Sequence, residues 1–475
     1  MNKPAGKPAA ATPVDRFAAI VGEKYATHDP KEMAPYLVER REIYQGRAAA
    51  VLRPGSTKEV SEILKLANET GTPIVPQGGN TGLSGGQVPI DERAVVVSTV
   101  RLDKIREIDP ATDSMTCEAG VILQRAQETA AKNDRLFPLS LGAEGSCTIG
   151  GNLSTNAGGV QALAYGVARD LVLGLEVVLA DGRIWRGLRK LKKDNTGYDL
   201  RHLFIGAEGT LGIITAAVLK LFPAPRSTET AFIGVPSLKA ALELLMIAQE
   251  RAGANVTSFE LMAGLGVQLA VKHSSSCRDP LGSPHPWYVL LELNSQAREG
   301  LRGTLEEILA AGSERGLVRD AAIAASLEQS KSFWLLRLIL PDAQRGTGGS
   351  IAHDVSVPVS SVPDFIEEAS AKVSQLVPGI QPLPFGHLGD GNVHLAFCKP
   401  PAATKADFLA RSDEVNAIVY ELAMKYRGSI SAEHGIGLMK RKLLPSVKDP
   451  VELDLMRAIK RTLDPSGILN PGKVL

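Results

Sequence analysis

Two long glycine-rich segments constrain the fold more than any other feature of the sequence, residues 76–86 (PQGGNTGLSGG) and 142–159 (GAEGSCTIGGNLSTNAGG). Glycine removes the steric cost of positive φ angles, and successive backbone amides in such a loop form a nest that binds anions. The first segment follows a strand-like run, so a pyrophosphate is its expected guest. A plain turn is the alternative for one loop alone. Two such loops favour nucleotide binding.

Neither segment fits the two commonest nucleotide motifs. G-x-G-x-x-G opening a helix would indicate a dinucleotide-binding Rossmann domain, and G-x-x-x-x-G-K-[ST] would indicate a P-loop. A third glycine-rich segment, residues 206–215 (GAEGTLGIIT), opens a strand whose backbone could contact the edge of a flat ring. The pattern therefore argues against NAD-type and P-loop binding and favours another nucleotide cofactor.

The chain divides into two patterns. Its 475 residues exceed what one hydrophobic core usually supports. Up to about residue 223 helices and strands alternate around the glycine-rich joints, and the first helix is marked by a capping box at Ser56 and Glu59 and a stop at Gly71. The segment 222–230 (FPAPRSTET) predicts a boundary. Beyond it, strands at 231–235 and 287–293 and helices at 238–253 and 299–316 predict an α+β domain with an antiparallel sheet.

Composition excludes several classes of partner and compartment. The 53 Lys and Arg residues nearly cancel the 52 Asp and Glu residues, so no net field would hold the chain on nucleic acid or an anionic membrane. Four scattered cysteines argue against a disulfide framework or a thiolate zinc site. No window approaches the roughly 18 unbroken apolar residues of a membrane helix, and the start lacks a signal peptide's apolar core. We expect a short loose tail on a cytoplasmic protein.

The order and spacing of the three segments resemble the PCMH-type FAD-binding domain of the vanillyl-alcohol-oxidase superfamily. In that family the first loop wraps the FAD pyrophosphate, the second lies along the ribityl chain and isoalloxazine, and the third meets the ring edge. The resemblance implies FAD contacts at the following positions: Pro76, Gly78, Gly79, Asn80, Thr81, Gly82, Gly142, Gly150, Gly151, Asn156, Gly158, Glu208, Ile213 and Asn470. The first loop has no histidine or cysteine and the second has only Cys147, so non-covalent FAD is expected.

The segment 384–395 (PFGHLGDGNVHL) is the sharpest local signal. If Asp390 and Gly391 are the central residues of a type I′ turn, His387 faces His394 across a hairpin. Directly opposed residues have Cβ atoms about 4.5–5.5 Å apart, which suits two imidazoles on one metal. Glu433 in the segment 431–437 (SAEHGIG) offers a third ligand. This His₂Glu set fits Zn²⁺, although manganese or cobalt would also be accepted, and the alternative is two hairpin histidines bonded to backbone beside an exposed Glu.

Both segments resemble the D-2-hydroxy-acid dehydrogenase branch of the family, which includes D-lactate, glycolate and D-2-hydroxyglutarate dehydrogenases. The resemblance spans nearly the whole chain and takes in residues 353–360 (HDVSVPVS) and 464–473 (DPSGILNPGK). It implies a metal-bound 2-hydroxy acid, with His434 accepting the hydroxyl proton and the Cα hydrogen passing as hydride to flavin N5. Arg337 is the expected carboxylate ligand, against the alternative of a solvated helix arginine.

Three positions depart from the 2-hydroxyglutarate pattern. In those relatives a polar residue, a lysine and an asparagine contact the substrate where this chain has Pro341, Ala352 and Ala396. Losing a cation and two hydrogen-bonding groups removes partners that a second carboxylate would need. A monocarboxylic, apolar 2-hydroxy acid is therefore favoured over a dicarboxylate, and the acid itself is left open.

The domain limits expected are a tail and helical lead-in (1–40), the FAD-binding domain (41–225), a substrate domain carrying the metal hairpin (226–425) and a C-terminal segment returning to the FAD domain (426–475). The electron acceptor would be a quinone, a cytochrome or an electron-transfer flavoprotein, and a homodimer is an open expectation. Two other functions are kept: a zinc hydrolase or lyase binding another nucleotide, and a non-catalytic flavin-binding subunit. Retention of the metal ligands and His434 argues against the second.

Overall fold

The computed structural model describes residues 12–475. The predicted N-terminal tail falls partly on residues 1–11, which lie outside the described residues. The first described helix begins at Pro13 and is capped by Thr12, whose hydroxyl accepts the Asp15 amide. The helices before residue 210 are α1 (Pro13–Val21), α2 (Pro30–Leu37), α3 (Thr57–Thr70), α4 (Leu123–Ala131), α5 (Ile149–Ser154), α6 (Ala162–Tyr165) and α7 (Arg201–Phe204).

The Ser56 cap and the Gly71 stop of α3 are confirmed, but the Glu59 carboxylate of the predicted capping box bonds to the Gly55 amide instead of the Ser56 amide. The Ser56 hydroxyl accepts the Glu59 amide at 3.2 Å, and the Glu59 carboxylate accepts the Gly55 amide at 2.8 Å. Gly71 ends the helix in the left-handed conformation with φ +64°, where a side chain would be strained. The apolar face of α3, which includes Val60, Ile63 and Leu64, packs fully buried against the first sheet.

Two small sheets carry the first and third glycine-rich segments, and the second segment contains helix α5. The strands before residue 224 are β1 (Ala26–Thr27), β2 (Ala50–Leu52), β3 (Ile74–Gln77), β4 (Val95–Ser98), β5 (Ile105–Asp109), β6 (Ser114–Glu118), β7 (Arg135–Leu136), β8 (Val172–Val178), β9 (Ile184–Gly187), β10 (Ile213–Lys220) and β11 (Phe222–Pro223), of which β7 and β11 pair with each other as a separate two-stranded sheet. The first sheet has the order β1-β2-β4-β3 and the second, antiparallel, has β5-β6-β10-β8-β9. The first glycine-rich segment begins within β3 and the third leads into β10, so both lie at sheet ends.

A seven-stranded antiparallel sheet follows, in the order β15-β12-β14-β13-β17-β18-β16. Its strands are β12 (Ser227–Val235), β13 (Val256–Ala263), β14 (Trp287–Ser295), β15 (Asp320–Ile323), β16 (Ser350–Ser356), β17 (Gln381–His387) and β18 (Asn392–Cys398). The accompanying helices are α8 (Leu238–Ala252), α9 (Gly264–His273), α10 (Leu301–Glu314), α11 (Leu327–Leu338), α12 (Leu340–Arg345), α13 (Val362–Leu376), α14 (Lys405–Leu409) and α15 (Ser412–Lys425). The predicted α+β class with an antiparallel sheet is confirmed.

The sheet presents different cores on its two faces. Helices α8, α10, α13 and α15 cover one face around Phe259, Leu291 and Phe397. Helices α9, α11 and α12 pack on the other around Met262, Leu290 and Phe385. Side chains alternate along a strand, so Glu260, His387 and His394 share the second face with Phe385. This face therefore holds the polar groups of the candidate metal centre.

The predicted register of the metal hairpin is wrong. Strands β17 and β18 pair His387 with Asn392 and Phe385 with His394, so the two histidines are not directly opposed. The reversal takes four residues instead of two, because Leu388–Asp390 form a 3₁₀ turn and only Gly391 adopts a positive φ, +83°. The histidines become diagonal neighbours on one face, with ring centroids 5.3 Å apart.

The C-terminal segment returns to the first sheet. Helices α16 (Leu444–Val447) and α17 (Pro450–Leu463) lead to Leu469, which forms a parallel bridge with Ile74. The Asn470 amide then donates to the Ile74 carbonyl at 2.7 Å. The four-part domain division stays a prediction. Across residues 12–475 no helix combines the length and apolarity needed to cross a membrane.

Candidate flavin cleft and metal centre

One cleft runs between the first two glycine-rich segments and ends at His434. The predicted residues that line it are Pro76, Gly78, Gly79, Asn80, Thr81, Gly82, Gly150, Gly151, Glu208, Ile213 and His434. Sequence reasoning missed Thr99, which follows β4, and other lining residues that lie in or beside the same segments: Gln77, Ser84, Gly86, Gln87, Thr148, Asn152, Ser154, Thr155, Gly209, Gly212 and Ile214. Their proximity to the motifs was the only signal available.

The glycines of the cleft are required by close backbone packing. A Cβ on Gly79 would lie 1.9 Å from the Ser146 carbonyl oxygen, and one on Gly78 would lie 2.3 Å from the Thr148 hydroxyl. The first two segments therefore pack closely against each other, and Asn80, next to Gly79 in the first segment, adopts a positive φ of +53°. A narrow cradle lined by backbone and small polar side chains fits the elongated, phosphate-bearing FAD.

Four predicted FAD contacts do not line the cleft. Gly142 lies in a loop apart from it, and the Asn156 side chain accepts the Arg169 amide at 3.0 Å. Gly158 instead approaches the metal centre, where a Cβ would lie 2.6 Å from Glu433 Oε1. Asn470 lies behind the cleft and donates its side-chain N–H groups to the carbonyls of Gly86 and Glu208.

The three predicted metal ligands do come together. His387, His394 and Glu433 each offer a ligand atom, and these atoms lie within 4.8 Å of one another. Nε2 of His387 is 3.9 Å from Glu433 Oε1, and Nε2 of His394 is 3.9 Å from Glu433 Oε2. Two imidazoles and one carboxylate form a donor set typical of catalytic zinc, so the arrangement fits a divalent cation.

Two buried carboxylates that the sequence did not reveal orient this cluster. Glu260 accepts His387 Nδ1–H at 2.7 Å, which leaves His387 Nε2 directed at Glu433. Asp354 accepts the backbone amides of Glu433 and His434, both at 2.9 Å, and fixes the loop that carries them. Glu260 belongs to no short motif, and Asp354 lies in the segment 353–360, to which the sequence assigned no role in the site. Each carboxylate lies on a strand far along the chain from its partners.

Electrostatics favour a cation among these groups. Burial raises the pKa of Glu433 to about 7, although the nearby His387 favours the ionised carboxylate. Burial also lowers the pKa of His394, which keeps the ring neutral and able to coordinate. For His387 burial favours the neutral ring, but the Glu260 carboxylate outweighs it and raises the pKa to about 9. A divalent cation would stabilise the ionised Glu433 and hold the imidazoles as neutral ligands.

His434 lies where the cleft meets the metal cluster. It lines the flavin cleft, and its ring is nearly parallel to that of His394, with centroids 6.2 Å apart. Its Nδ1 is 3.6 Å from Asp354 Oδ2, and its side chain keeps 31% of its surface exposed. Burial lowers the pKa of His434 despite the nearby Asp354, so the ring is neutral near pH 7 and can accept a proton.

Arg337 is buried, which contradicts the alternative of a solvated helix arginine. Only 4% of its surface is exposed, and its Nε donates to Glu260 Oε2 at 2.7 Å. The guanidinium carbon lies 5.1 Å from the centre of the Phe385 ring, beside His394. Within residues 12–475 the two terminal nitrogens have no hydrogen-bond partner, so they can bind a carboxylate bidentately.

The three positions that depart from the 2-hydroxyglutarate pattern have different surroundings. Ala396 and Ala352 face each other across β18 and β16, two residues further from the hairpin than the His394–Asp354 pair. Ala396 is buried among apolar side chains that include Leu383, whereas Ala352 and Pro341 are exposed. From His394 toward Ala396 and Leu383, the sheet face is therefore apolar.

The sequence matches two family models. Residues 48–187 match the FAD binding domain, and residues 224–474 match the C-terminal domain of FAD linked oxidases. Among curated proteins, D-2-hydroxyglutarate dehydrogenase of Arabidopsis thaliana is 38% identical over 97% of this chain and 81% of its own. The enzyme of that name from Xanthomonas citri is 35% identical over 94% of this chain and 93% of its own.

Solved structures share the fold. p-Cresol methylhydroxylase with bound substrate superposes with a TM-score of 0.77 at 18% identity, covering 97% of this chain and 96% of its own. Alkyldihydroxyacetonephosphate synthase superposes with a TM-score of 0.74 at 17% identity, covering 98% and 86%. The predicted PCMH-type architecture is confirmed. Together with the two family matches over most of its length, this shows that the chain belongs to the family of FAD-linked oxidases.

Proposed function

We propose that this protein is an FAD-dependent dehydrogenase that oxidises a D-2-hydroxy acid to the 2-oxo acid with the help of a divalent metal. The observation that carries the proposal is the position of His434, which belongs to the flavin cleft and stands against the His₂Glu cluster. The relatives named D-2-hydroxyglutarate dehydrogenase support the reaction class. FAD is bound non-covalently, since Cys147 is buried and its sulfur accepts a hydrogen bond from the side-chain NH₂ group of Asn152 at 3.4 Å.

The substrate binds between Arg337 and His434. The terminal nitrogens of Arg337 hold the carboxylate, and Glu260 fixes the guanidinium through its Nε. His434 accepts the hydroxyl proton, and Asp354 stabilises the imidazolium that forms. His387, His394 and Glu433 would hold the metal, which supplies a Lewis acid that lowers the pKa of the substrate hydroxyl. Bound FAD supplies the acceptor for the Cα hydride.

The anaerobic visible spectrum tests the proposal. The purified protein should be yellow, and a panel of D- and L-2-hydroxy acids should include a D-acid that bleaches the flavin. Incubation with a chelator should remove most of the bleaching and added Zn²⁺ should restore it, because the metal stabilises the ionised hydroxyl.

Each failure points to a different function. A colourless protein with zinc and hydrolytic activity would indicate the zinc hydrolase or lyase. A yellow protein that no acid bleaches would indicate the non-catalytic flavin subunit. Prompt formation of peroxide in air would indicate an oxidase, whereas the dehydrogenase passes its electrons to a quinone, a cytochrome or an electron-transfer flavoprotein.

The substrate side chain is expected to be apolar. Ala396 and Leu383 continue the sheet face beyond His394, and no hydrogen-bonding group stands at Ala352 or Ala396 for a second carboxylate. We therefore expect a higher kcat/KM for D-lactate and its apolar homologues than for D-2-hydroxyglutarate. An Ala396→Asn variant should narrow this difference. Equal or better turnover of D-2-hydroxyglutarate by the unchanged protein would contradict an apolar substrate. The proposed reaction would then be the one that the names of the relatives give.

The remaining proposals concern the setting of the enzyme. All four cysteines are free and buried, which suits a reducing compartment, and a cytoplasmic location stays our proposal. Several relatives carry the word mitochondrial in their names, so fractionation of the source cells is the deciding measurement. A homodimer is likewise a proposal, to be tested by light scattering.

A further inference from the structure

The carboxylate of Glu208 lies at the junction of four segments. Its backbone amide donates to the Ser154 carbonyl at 2.8 Å, and its carbonyl accepts the Asn470 side chain at 2.7 Å. Its side chain turns toward the segment that carries Glu433 and His434. There Oε1 accepts the Ile436 amide at 2.7 Å and Oε2 accepts the Gly437 amide at 2.9 Å.

The surroundings of Glu208 leave its carboxylate little freedom. A Cβ on Gly86 would lie 2.7 Å from Oε2, and a Cβ on Gly435 would lie 2.6 Å from Oε1. Glu208 itself adopts a positive φ of +51°, an unfavourable conformation for a residue with a Cβ. Such strain persists only where the surrounding structure over-determines it. Only 8% of the residue is exposed, although it borders the flavin cleft.

We propose that Glu208 is a positioning residue that fixes the distance between the flavin and the catalytic loop, and that its carboxylate is not a cofactor ligand. The inference rests on the proposed function for its kinetic consequence. Both carboxylate oxygens are used by the amides of Ile436 and Gly437, two and three residues after His434. Glu208 thereby ties the third glycine-rich segment to the loop that carries the proton acceptor and a metal ligand.

The Glu208→Gln variant separates this role from simple packing. Glutamine keeps the volume but offers one acceptor oxygen. At the Oε1 position that oxygen can accept both amides, as Oε1 does at 2.7 and 3.2 Å, but the NH₂ group at the Oε2 position then faces the Gly437 amide, donor against donor. The loop should shift, and flavin reduction should slow about ten- to hundredfold, since a displacement near 1 Å can cost that much. FAD content should stay unchanged, because the first two glycine-rich segments, which line most of the cleft, are intact.

Hydrogen exchange gives a readout that does not depend on activity. In the holoenzyme the amides of Ile436 and Gly437 should exchange faster after Glu208→Gln than before. The matched control is Glu176→Gln, which alters another buried carboxylate of the flavin-binding part, bonded to Thr57 and Arg106. It should leave exchange at residues 436–437 and the reduction rate unchanged. If Glu208→Gln folds poorly, Glu208→Asp keeps the charge and shortens the side chain, with the same expected result.

These experiments distinguish failure of the proposed role of Glu208 from failure of the proposed function. If no 2-hydroxy acid reduces the unchanged protein, the proposed function fails, yet exchange at residues 436–437 still decides the role of Glu208. Loss of FAD from Glu208→Gln with unaltered exchange would make the carboxylate a cofactor ligand and overturn the inference. Unaltered reduction and unaltered exchange would overturn it as well.

Discussion

Replacing His434 with alanine should slow flavin reduction by the substrate about 10²–10⁴-fold, the range a positioned general base supplies. The ring is neutral near pH 7 because burial lowers its pKa, and it stands between the flavin cleft and the metal cluster. Alanine removes the proton acceptor without touching the glycine-rich cradle, so FAD content should not change. Rapid mixing of the oxidised holoenzyme with substrate, without oxygen, measures the rate directly.

The control for this variant is His202→Ala. His202 is a histidine of the flavin-binding part whose side chain is 45% exposed, and it contacts Arg169 away from the cleft. Its removal should leave the reduction rate at that of the unchanged protein. Reduction of His434→Ala at an undiminished rate would show that another group takes the proton, and the metal cluster would then be the first place to search.

Local patterns predicted the elements well. The Ser56 cap, the Gly71 stop and the apolar face of α3 act within one helix, so the sequence contains all that decides them. The glycine-rich segments were equally easy to recognise in the sequence, because a cradle that brings Gly79 into contact with Ser146 leaves no room for a side chain at Gly79. Strand β13 and helix α9 were missed. Strand β13 is buried along its whole length, and apolar and polar residues alternate in it only over residues 258–261.

Only those residues of the candidate site that lie in sequence motifs could be predicted. His387, His394, Glu433 and His434 stand in recognisable segments, and the structure brings them together. The predicted hairpin register was wrong because the turn has four residues where two were assumed. The 3₁₀ turn before Gly391 accounts for the extra residues. Glu260 lies 127 residues from His387 in sequence, so its role depends on the pairing of β13 with β17, which no local pattern reports.

Replacing Glu260 with glutamine should weaken metal binding about 10- to 100-fold, the usual cost of losing a carboxylate behind a metal-bound histidine. The carboxylate accepts from both His387 Nδ1 and Arg337 Nε, each at 2.7 Å. Glutamine has a single acceptor oxygen, and Arg337 can only donate, so the oxygen stays with the arginine. The NH₂ group then donates to His387 Nδ1 and selects the tautomer with the proton on Nε2. That tautomer cannot coordinate through Nε2, the atom that faces Glu433.

Metal content after dialysis and competition with a chelator dye measure the loss, and excess Zn²⁺ should restore flavin reduction in Glu260→Gln. The matched control is Glu292→Gln, because Glu292 lies on the adjoining strand β14, is 8% exposed and accepts the Trp334 indole N–H at 2.7 Å without touching the cluster. It should keep its zinc. If Glu260→Gln held zinc as tightly as the unchanged protein but bound substrate more weakly, the carboxylate would act through Arg337 alone. Zinc affinity and substrate affinity measured on one variant thus separate the effect of Glu260 on the metal, through His387, from its effect on the substrate, through Arg337.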